Sequence, residues 1–436
     1  MPLQSPVQTD INGNPIGTST NPVSAQVTGS FKSTLADSFG SNIRATVADE
    51  LRVAGLYLLA DLTNKYELDT RLWDVLTASA GSVTHVPAES ALRVAVVGTS
   101  GSSATLRTNT YYKYQAGYTQ LIGMSVINSD TGQAGQLRDW GYVDDNNGLF
   151  FRLNGTSFNI VERSDATGVV VETVISQSAF SKDPVNGFGA SGLNLNVSKG
   201  NLYEIEVQWF GVGTTRYFID DILVHESKHA NTLTLPYMRT AKLPVQAKVT
   251  NLVSSSAGYL DLICARVAAQ AQTVEPAHWV YGVGNTNSVL ITQVEAPVLS
   301  IRPKSTYNGI TNRSIIQPKS LSISTQGYPI AFRIIANPVL TGASFNSSGN
   351  TSLVDYDVAA TGFTGGEVLY RGVVNSDLGV VTIDMQKFFQ VYGRIMRNAG
   401  FLGIGVNAND ILTVVASNLG AGKTQVKADM TWLEIR

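Results

Sequence analysis

From about residue 70 to residue 290 the chain alternates short runs of β-branched and aromatic residues with clusters of Gly, Asn, Asp and Ser. The runs are "RVAVVGT", "ATLRTNTYYKYQ", "TQLIGMSVIN", "GLFFRLN", "SFNIVERS", "GVVVETVIS", "LYEIEVQWF" and "TRYFIDDILVHE". Runs of this kind, parted by turn residues, predict antiparallel strands. No long helical patterns alternate with them, so a sandwich or jelly roll is expected rather than a parallel α/β sheet.

In "LYEIEVQWF", Tyr203, Ile205, Val207 and Trp209 are parted by Glu204, Glu206, Gln208 and Phe210. This alternation predicts one buried face and one wet face. Asn154 and Gly155 predict a two-residue hairpin turn in which both central residues take positive φ. Asp220 and Asp221 predict a second tight turn.

Two helices are expected. The first starts at a capping box of Thr46 and Asp49, with Val47, Leu51, Ala54, Leu58 and Leu62 on one face. The second is capped by Asp384, carries Met385, Phe388, Tyr392, Ile395 and Ala399 at spacings of three and four, and stops at Gly400.

The fold class expected is therefore all-β: a central antiparallel sandwich plus a smaller C-terminal β domain with one helix, preceded by an extended N-terminal arm. The layout is 1–45 docking arm, 46–65 helix and linker, 66–290 sandwich and 291–436 C-terminal β domain. The arm follows from residues 1–40, which are rich in Pro, Ser, Thr, Asn and Gly and carry only Asp10, Lys32 and Asp37 as charges. Such a segment cannot build a core of its own.

Composition narrows the function classes. With 31 Lys and Arg against 33 Asp and Glu, the chain lacks the basic footprint that binds a nucleic-acid backbone or an anionic membrane. Charged residues are 15% of the chain, below the usual soluble fraction of about 25%, which favours a surface covered in an assembly. Cys264 stands alone, so neither an intrachain disulfide nor a Cys-rich metal site is expected. The start "MPLQSPVQTD" lacks the basic and apolar regions of a secretion signal, and no membrane-inserting segment is expected.

Several stretches invite a chemical reading. "HESKH", His225 to His229, matches the H-E-x-x-H pattern of zinc peptidases. On a helix the two rings lie about 5–6 Å apart, but in a strand about 13 Å apart. Its neighbours, "RYFIDDILV" before and "ANTLTLPYM" after, predict a strand running into a loop, which leaves no shared metal. His85 and His278 have no evident companion nearby in sequence.

"NLGAGKTQ", Asn418 to Gln425, resembles part of a phosphate loop. Ser417 stands where the motif needs glycine, and a strand pattern follows where it needs a helix; a hairpin loop is expected. "DDNNG", Asp144 to Gly148, could offer oxygens to calcium, but it also fits an Asx-rich turn. Glu204 and Glu206 share a strand face, as paired glycosidase carboxylates can. Trp140, Tyr142, Trp209 and Trp279 are candidates for stacking on sugar rings, or for core anchors. No catalytic, cofactor-binding or metal residue is assigned.

Taken in order, "RDWGYVDDNNGLFFRLNGTSFNIVERS", "WFGVGTTRYFIDDILVHESKHAN", "PVLSIRPKS", "NPVLTGASF" and "VDYDVAATGFTGGEVL" resemble a family of tailed-bacteriophage virion structural proteins, over roughly residues 60 to 380. The resemblance implies a concanavalin-type or jelly-roll sandwich and a particle component made in the host cytoplasm. It transfers no catalytic residues. The expectation is a virion structural protein of the head (decoration or fibre) or of the tail or baseplate. It is not an enzyme, needs no cofactor, and assembles with other virion proteins as a homo-oligomer, a trimer if it forms a fibre. The alternative reading is a host-surface glycan-binding module, and a third is a glycan hydrolase or zinc peptidase.

Overall fold

The computed structural model describes residues 56–70, 72–270, 279–285, 287–376, 379–385 and 410–435. The expected arm at 1–45 lies outside them, as does the expected second helix beyond Met385.

Among the described residues the first part is built of strands, with short 3-10 segments at Pro87–Glu89 and Gln177–Ala179. In chain order β1 is Tyr57–Thr63, β2 Trp73–Ala78, β3 Ser82–Val86, β4 Ala91–Val96, β5 Ser103–Thr108, β6 Thr119–Asn128, β7 Gln136–Val143 and β8 Gly148–Asn154. Then follow β9 Ser157–Ser164, β10 Val171–Ser176, β11 Asn201–Val207, β12 Thr214–Ile219, β13 Ile222–Lys228, β14 Val245–Asn251 and β15 Gly258–Gln270. They form two antiparallel sheets. One runs β13-β12-β11-β6-β15-β4-β3 with β1 also on β15; the other runs β10-β9-β8-β7-β14-β5-β2.

Where it is described, the first expected helix is not helical. Its described part, including Leu58 and Leu62, is strand β1, while Val47, Leu51 and Ala54 lie outside the described residues. The physical reason is the length of β15. Strand β4 pairs only with Gly258 to Leu262, which leaves Cys264 to Ala269 with an open edge that β1 fills. Pairing that edge outweighs the four-and-three spacing.

The core lies between the two sheets. Val245, Ala247 and Val249 of β14 alternate inward and are fully buried. Trp140, Phe151, Phe158, Tyr203 and Tyr217 form its aromatic centre; the Trp140 and Tyr203 rings meet edge to face at 5.0 Å, a favoured arrangement of ring quadrupoles.

Strand β11 departs from the expected wet face. Glu204 and Glu206 point away from Tyr203, Ile205 and Val207, yet they are only 2% and 0% exposed. The register explains Glu204: Gly123 of β6 sits opposite both Glu204 of β11 and Arg266 of β15. With no side chain at Gly123, Arg266 lies across β6 and its guanidinium donates to the Glu204 carboxylate.

The turns bear out the tight turn at Asp220 and Asp221, whose φ values of 47° and 67° are both positive, as a type I′ hairpin requires. The other hairpin is shifted by one residue. Asn154 pairs with Ser157, so Gly155 and Thr156 form the turn. Gly155 has φ 56°, matching a turn with glycine at its first central position.

The strands after residue 278 build a second core around Leu299, Ile301, Phe332, Val414, Met430 and Trp432. A sheet centred on Thr424–Ile435 and Ile315–Gln326 packs with one centred on Ala296–Pro303, Leu412–Asn418 and Ile330–Ala336. "NLGAGKTQ" joins two strands that belong to different sheets, so it is a crossing loop and not the hairpin expected. A Cβ on Gly420 or Gly422 would meet the Tyr328 ring at 2.2 or 2.7 Å, so ring packing accounts for these glycines.

Candidate functional site

The residues of "HESKH" belong to strand β13 and the turn after it. His225 accepts a hydrogen bond from the Ser181 backbone N–H at its Nδ1 and donates from Nε2 to the Ser227 hydroxyl at 3.1 Å. It is thus neutral, and burial pushes its pKa down. His229 faces acceptors on both sides: the Gly213 carbonyl at Nδ1, 2.6 Å, and the Glu162 carboxylate at Nε2, 3.0 Å. Burial lowers its pKa, but the hydrogen bond and charge of Glu162 outweigh burial and hold it raised. Glu226 pairs with Arg216 at 2.8 Å and Lys228 at 3.3 Å.

The three motif residues therefore serve three separate contacts. Among the described residues no cluster of His, Cys, Asp and Glu could hold a metal ion.

The "DDNNG" stretch is an Asx turn between β7 and β8. Oδ1 of Asp144 accepts the backbone N–H groups of Asn146 and Asn147, each at 2.8 Å. Its Oδ2 accepts from Arg313 at 2.9 Å. Asp144 is fully buried, and that burial raises its pKa despite Arg313. Asn147 extends the turn, accepting the Arg239 backbone N–H at 3.0 Å.

Of the aromatic candidates, Trp140 and Tyr142 are core residues with no exposure. The Tyr142 hydroxyl lies 2.7 Å from the Tyr112 and Ala241 carbonyls. Trp279 is exposed on a strand of the C-terminal part. Trp209, half-buried, holds its indole N–H on the Met238 carbonyl at 3.2 Å and meets the Tyr114 ring edge to face at 6.1 Å.

Trp209 opens onto a cavity of about 520 Å³, within the usual range for small-molecule sites. The sandwich supplies Lys113, Tyr114, Trp209 and the segment Arg239 to Lys242; the second core supplies Tyr307 to Ser314 and Leu353. The Asx turn helps to build the wall, because its Asp144 carboxylate binds Arg313 and its Asn147 side chain binds the Arg239 backbone. Asn312 braces the far wall, donating to the Lys304 and Leu353 carbonyls.

Lys113, Arg239, Lys242 and Arg313 line this cavity, and no Asp or Glu is among its described lining residues. Burial lowers the Lys113 pKa. Burial, then the charges of Lys113 and Arg313, push Lys242 down to about 7. Of the lining residues, the sequence singled out only Trp209. The clustering of Lys113 among tyrosines in "TYYKYQ" was a local signal, whereas Arg239, Lys242 and Arg313 carried none.

No protein-family model matches the chain, and no curated protein matches it. Solved structures do. The carbohydrate recognition domain of Emp46p in its potassium-bound form is 9% identical and aligns 49% of this chain with 98% of that one, at a TM-score of 0.29. An endo-β-1,4-glucuronan lyase from the fungus Trichoderma reesei is 11% identical over 47% of this chain and 93% of that one, at 0.32. A family 16 glycosyl hydrolase from Mycobacterium smegmatis is 11% identical over 49% and 98%, at 0.31.

The all-β class expected from the sequence is shown by the antiparallel sheets themselves. The expectation that the chain is not an enzyme is corrected: a fold does not fix a function, and the solved structures similar to this chain include a lyase and a hydrolase as well as a recognition domain. A β-sandwich without a recognised catalytic motif is no ground for excluding catalysis.

Proposed function

We propose that this chain is a glycan-recognising β-sandwich protein of a virion, with the cavity beside Trp209 as its binding site. One observation carries the glycan reading: a cavity of ligand size in which the Trp209, Tyr114 and Tyr307 side chains stand beside basic groups. Aromatic faces take the apolar face of a sugar ring, and a few placed polar groups fix its orientation. The virion placement rests on the sequence resemblance.

The test is a glycan array probed with the full chain and with Trp209→Ala. Retention of one glycan class by the wild type, weakened at least tenfold in the variant, supports the reading. An array with no retained glycan overturns it.

An assembled, homo-oligomeric state is favoured by a separate observation. Strand β10 is the edge of its sheet, and Val169, Val170, Val171 and Val174 are exposed along it and the turn before it. An apolar edge of this kind is a template for pairing with another chain. Sedimentation of the full chain as a monomer, with the protein missing from purified particles, would remove this reading.

A further inference from the structure

Among the described residues that line the cavity, the charged side chains are all basic. Four basic side chains line it from three separate segments: Lys113 between β5 and β6, Arg239 and Lys242 between β13 and β14, and Arg313 before the long strand Ile315–Gln326. Two are paired with acids that are not among the described lining residues: Arg313 binds Asp144 at 2.9 Å and Arg239 lies 3.5 Å from Asp165. After burial, the positive charges of Lys113 and Arg313 add to the lowering of Lys242, which places these three groups within electrostatic reach of one another.

Bringing like charges together in a partly dehydrated site is costly, and a bound anion turns their repulsion into attraction. A neutral sugar would bring no counter-charge to the four basic lining groups. A small inorganic anion would leave the aromatic wall of Tyr114, Trp209 and Tyr307 unused. From this juxtaposition we infer that the cavity binds an acidic saccharide, its carboxylate between Lys113 and Lys242 and a ring against Trp209. The inference rests on the glycan reading above and specifies its ligand class.

The burial and the neighbouring cations that hold the Lys242 ammonium down to about 7 give the ligand a proton linkage. An anion beside Lys242 raises its pKa, so binding takes up a proton near neutral pH and weakens as pH rises past that value. Lys113, itself lowered by burial, shifts in the same direction. Asp144 and Asp165 are the acids paired with Arg313 and Arg239.

The experiment is calorimetric titration of the full chain with tri-galacturonate, glucuronate oligomers and sialyllactose, against maltotriose, cellotriose and lactose, with inorganic phosphate as a further probe. Each is run at pH 6 and 8.5 in buffers of different ionisation heat. We expect at least one acidic saccharide to bind tenfold or more tighter than every neutral one. We also expect proton uptake, weaker binding at pH 8.5, and a loss of about tenfold or more in Lys242→Gln and in Lys113→Gln, a magnitude typical of a charged hydrogen bond. Lys113→Gln alters a more solvated residue and keeps the test open if Lys242→Gln does not fold.

Neutral saccharides binding as tightly as acidic ones, with the Trp209→Ala loss intact, would overturn the acidic specificity and leave the glycan reading standing. Binding by no saccharide would overturn both. Phosphate binding without any saccharide binding would mark an inorganic-anion site and overturn both as well.

Discussion

His229 and Glu162 form a buried charge pair: Nε2 of His229 stands 3.0 Å from a Glu162 carboxylate oxygen, and both side chains are about nine-tenths shielded. The other ring nitrogen donates to the Gly213 carbonyl, so both imidazole nitrogens carry protons and the ring is cationic. Tyr237 stacks on it at 3.9 Å. Thr215 and Tyr217 donate to the second Glu162 oxygen at 3.1 Å. The carboxylate is held below its ordinary value, because the bonds to His229, Ser227 and Tyr217 outweigh the burial that would raise it.

This pair predicts a stability window. The raised His229 contributes fully below its ordinary 6.5 and loses its contribution as pH rises through its folded value. The lowered Glu162 contributes fully above its ordinary 4.5 and loses its contribution as pH falls through its folded value. Both contributions coexist between those ordinary values. Urea unfolding of Glu162→Gln across pH 4 to 9 should show the largest loss inside that window, roughly 3–5 kcal/mol for leaving one buried partner uncompensated. A loss independent of pH would remove the charged assignment of His229.

The strands around this pair were legible because alternation and turn residues are local. Asp220 and Asp221 could be placed in a tight turn from their own chemistry. Strand β1 was not legible, because its pairing is decided by the free half of β15, some 200 residues later, and nothing at Leu58 or Leu62 records it. The cavity was hidden for the same reason: Lys113, Lys242 and Arg313 each sit in an ordinary loop, and only the packing of two cores brings them together. "HESKH" was readable as strand and corner, yet the acid that charges His229 is Glu162, on another sheet.

Gly123 controls the reach of Arg266 to Glu204. A Cβ there would meet Arg266 Nε at 3.0 Å and Cγ at 3.2 Å, so the flexible guanidinium moves before the backbone does. Gly123→Val should displace it and leave the 2% exposed Glu204 carboxylate without its donor. The expected cost is about 1–3 kcal/mol, that of an unsatisfied buried acceptor. Glu204→Gln placed on top should recover part of it, measured by chemical denaturation. Equal stability of wild type and Gly123→Val would show that the crossing is not used.

Asp183 organises the loop between β10 and β11. Its two oxygens accept the Val185 N–H at 2.8 Å and the Ser191 N–H at 2.7 Å. Burial alone would raise its pKa, but these N–H groups prevail and hold it lowered. They also hold Val185 at φ 45°, a left-handed conformation that β-branched residues avoid. Asp183→Asn puts an amide donor against one of the two N–H groups and should cost about 1–3 kcal/mol. Limited proteolysis should then cut between residues 184 and 194 while the sandwich stays intact. Unchanged proteolysis would mean that the loop is held by other contacts.

Arg313 and Asp144 tie the second core to the Asx turn of the sandwich, and their coupling is measurable apart from any ligand. Asp144 has no exposure and its pKa is raised, first by burial, with Arg313 opposing. A raised carboxylate works against folding when ionised, so its unfavourable share grows as pH rises from its ordinary 3.8 through the folded value. Removing the guanidinium in Arg313→Gln should lift that value further and make the variant lose stability with rising pH more steeply than wild type. Asp144→Asn keeps an oxygen for the Asn146 and Asn147 N–H groups and removes the charge. The double variant should therefore be more stable near neutral pH than the sum of the two single losses implies, with an interaction energy of about 0.5–3 kcal/mol, the range for residues in direct contact. Additive losses in urea unfolding at pH 7 would show that the two side chains act independently.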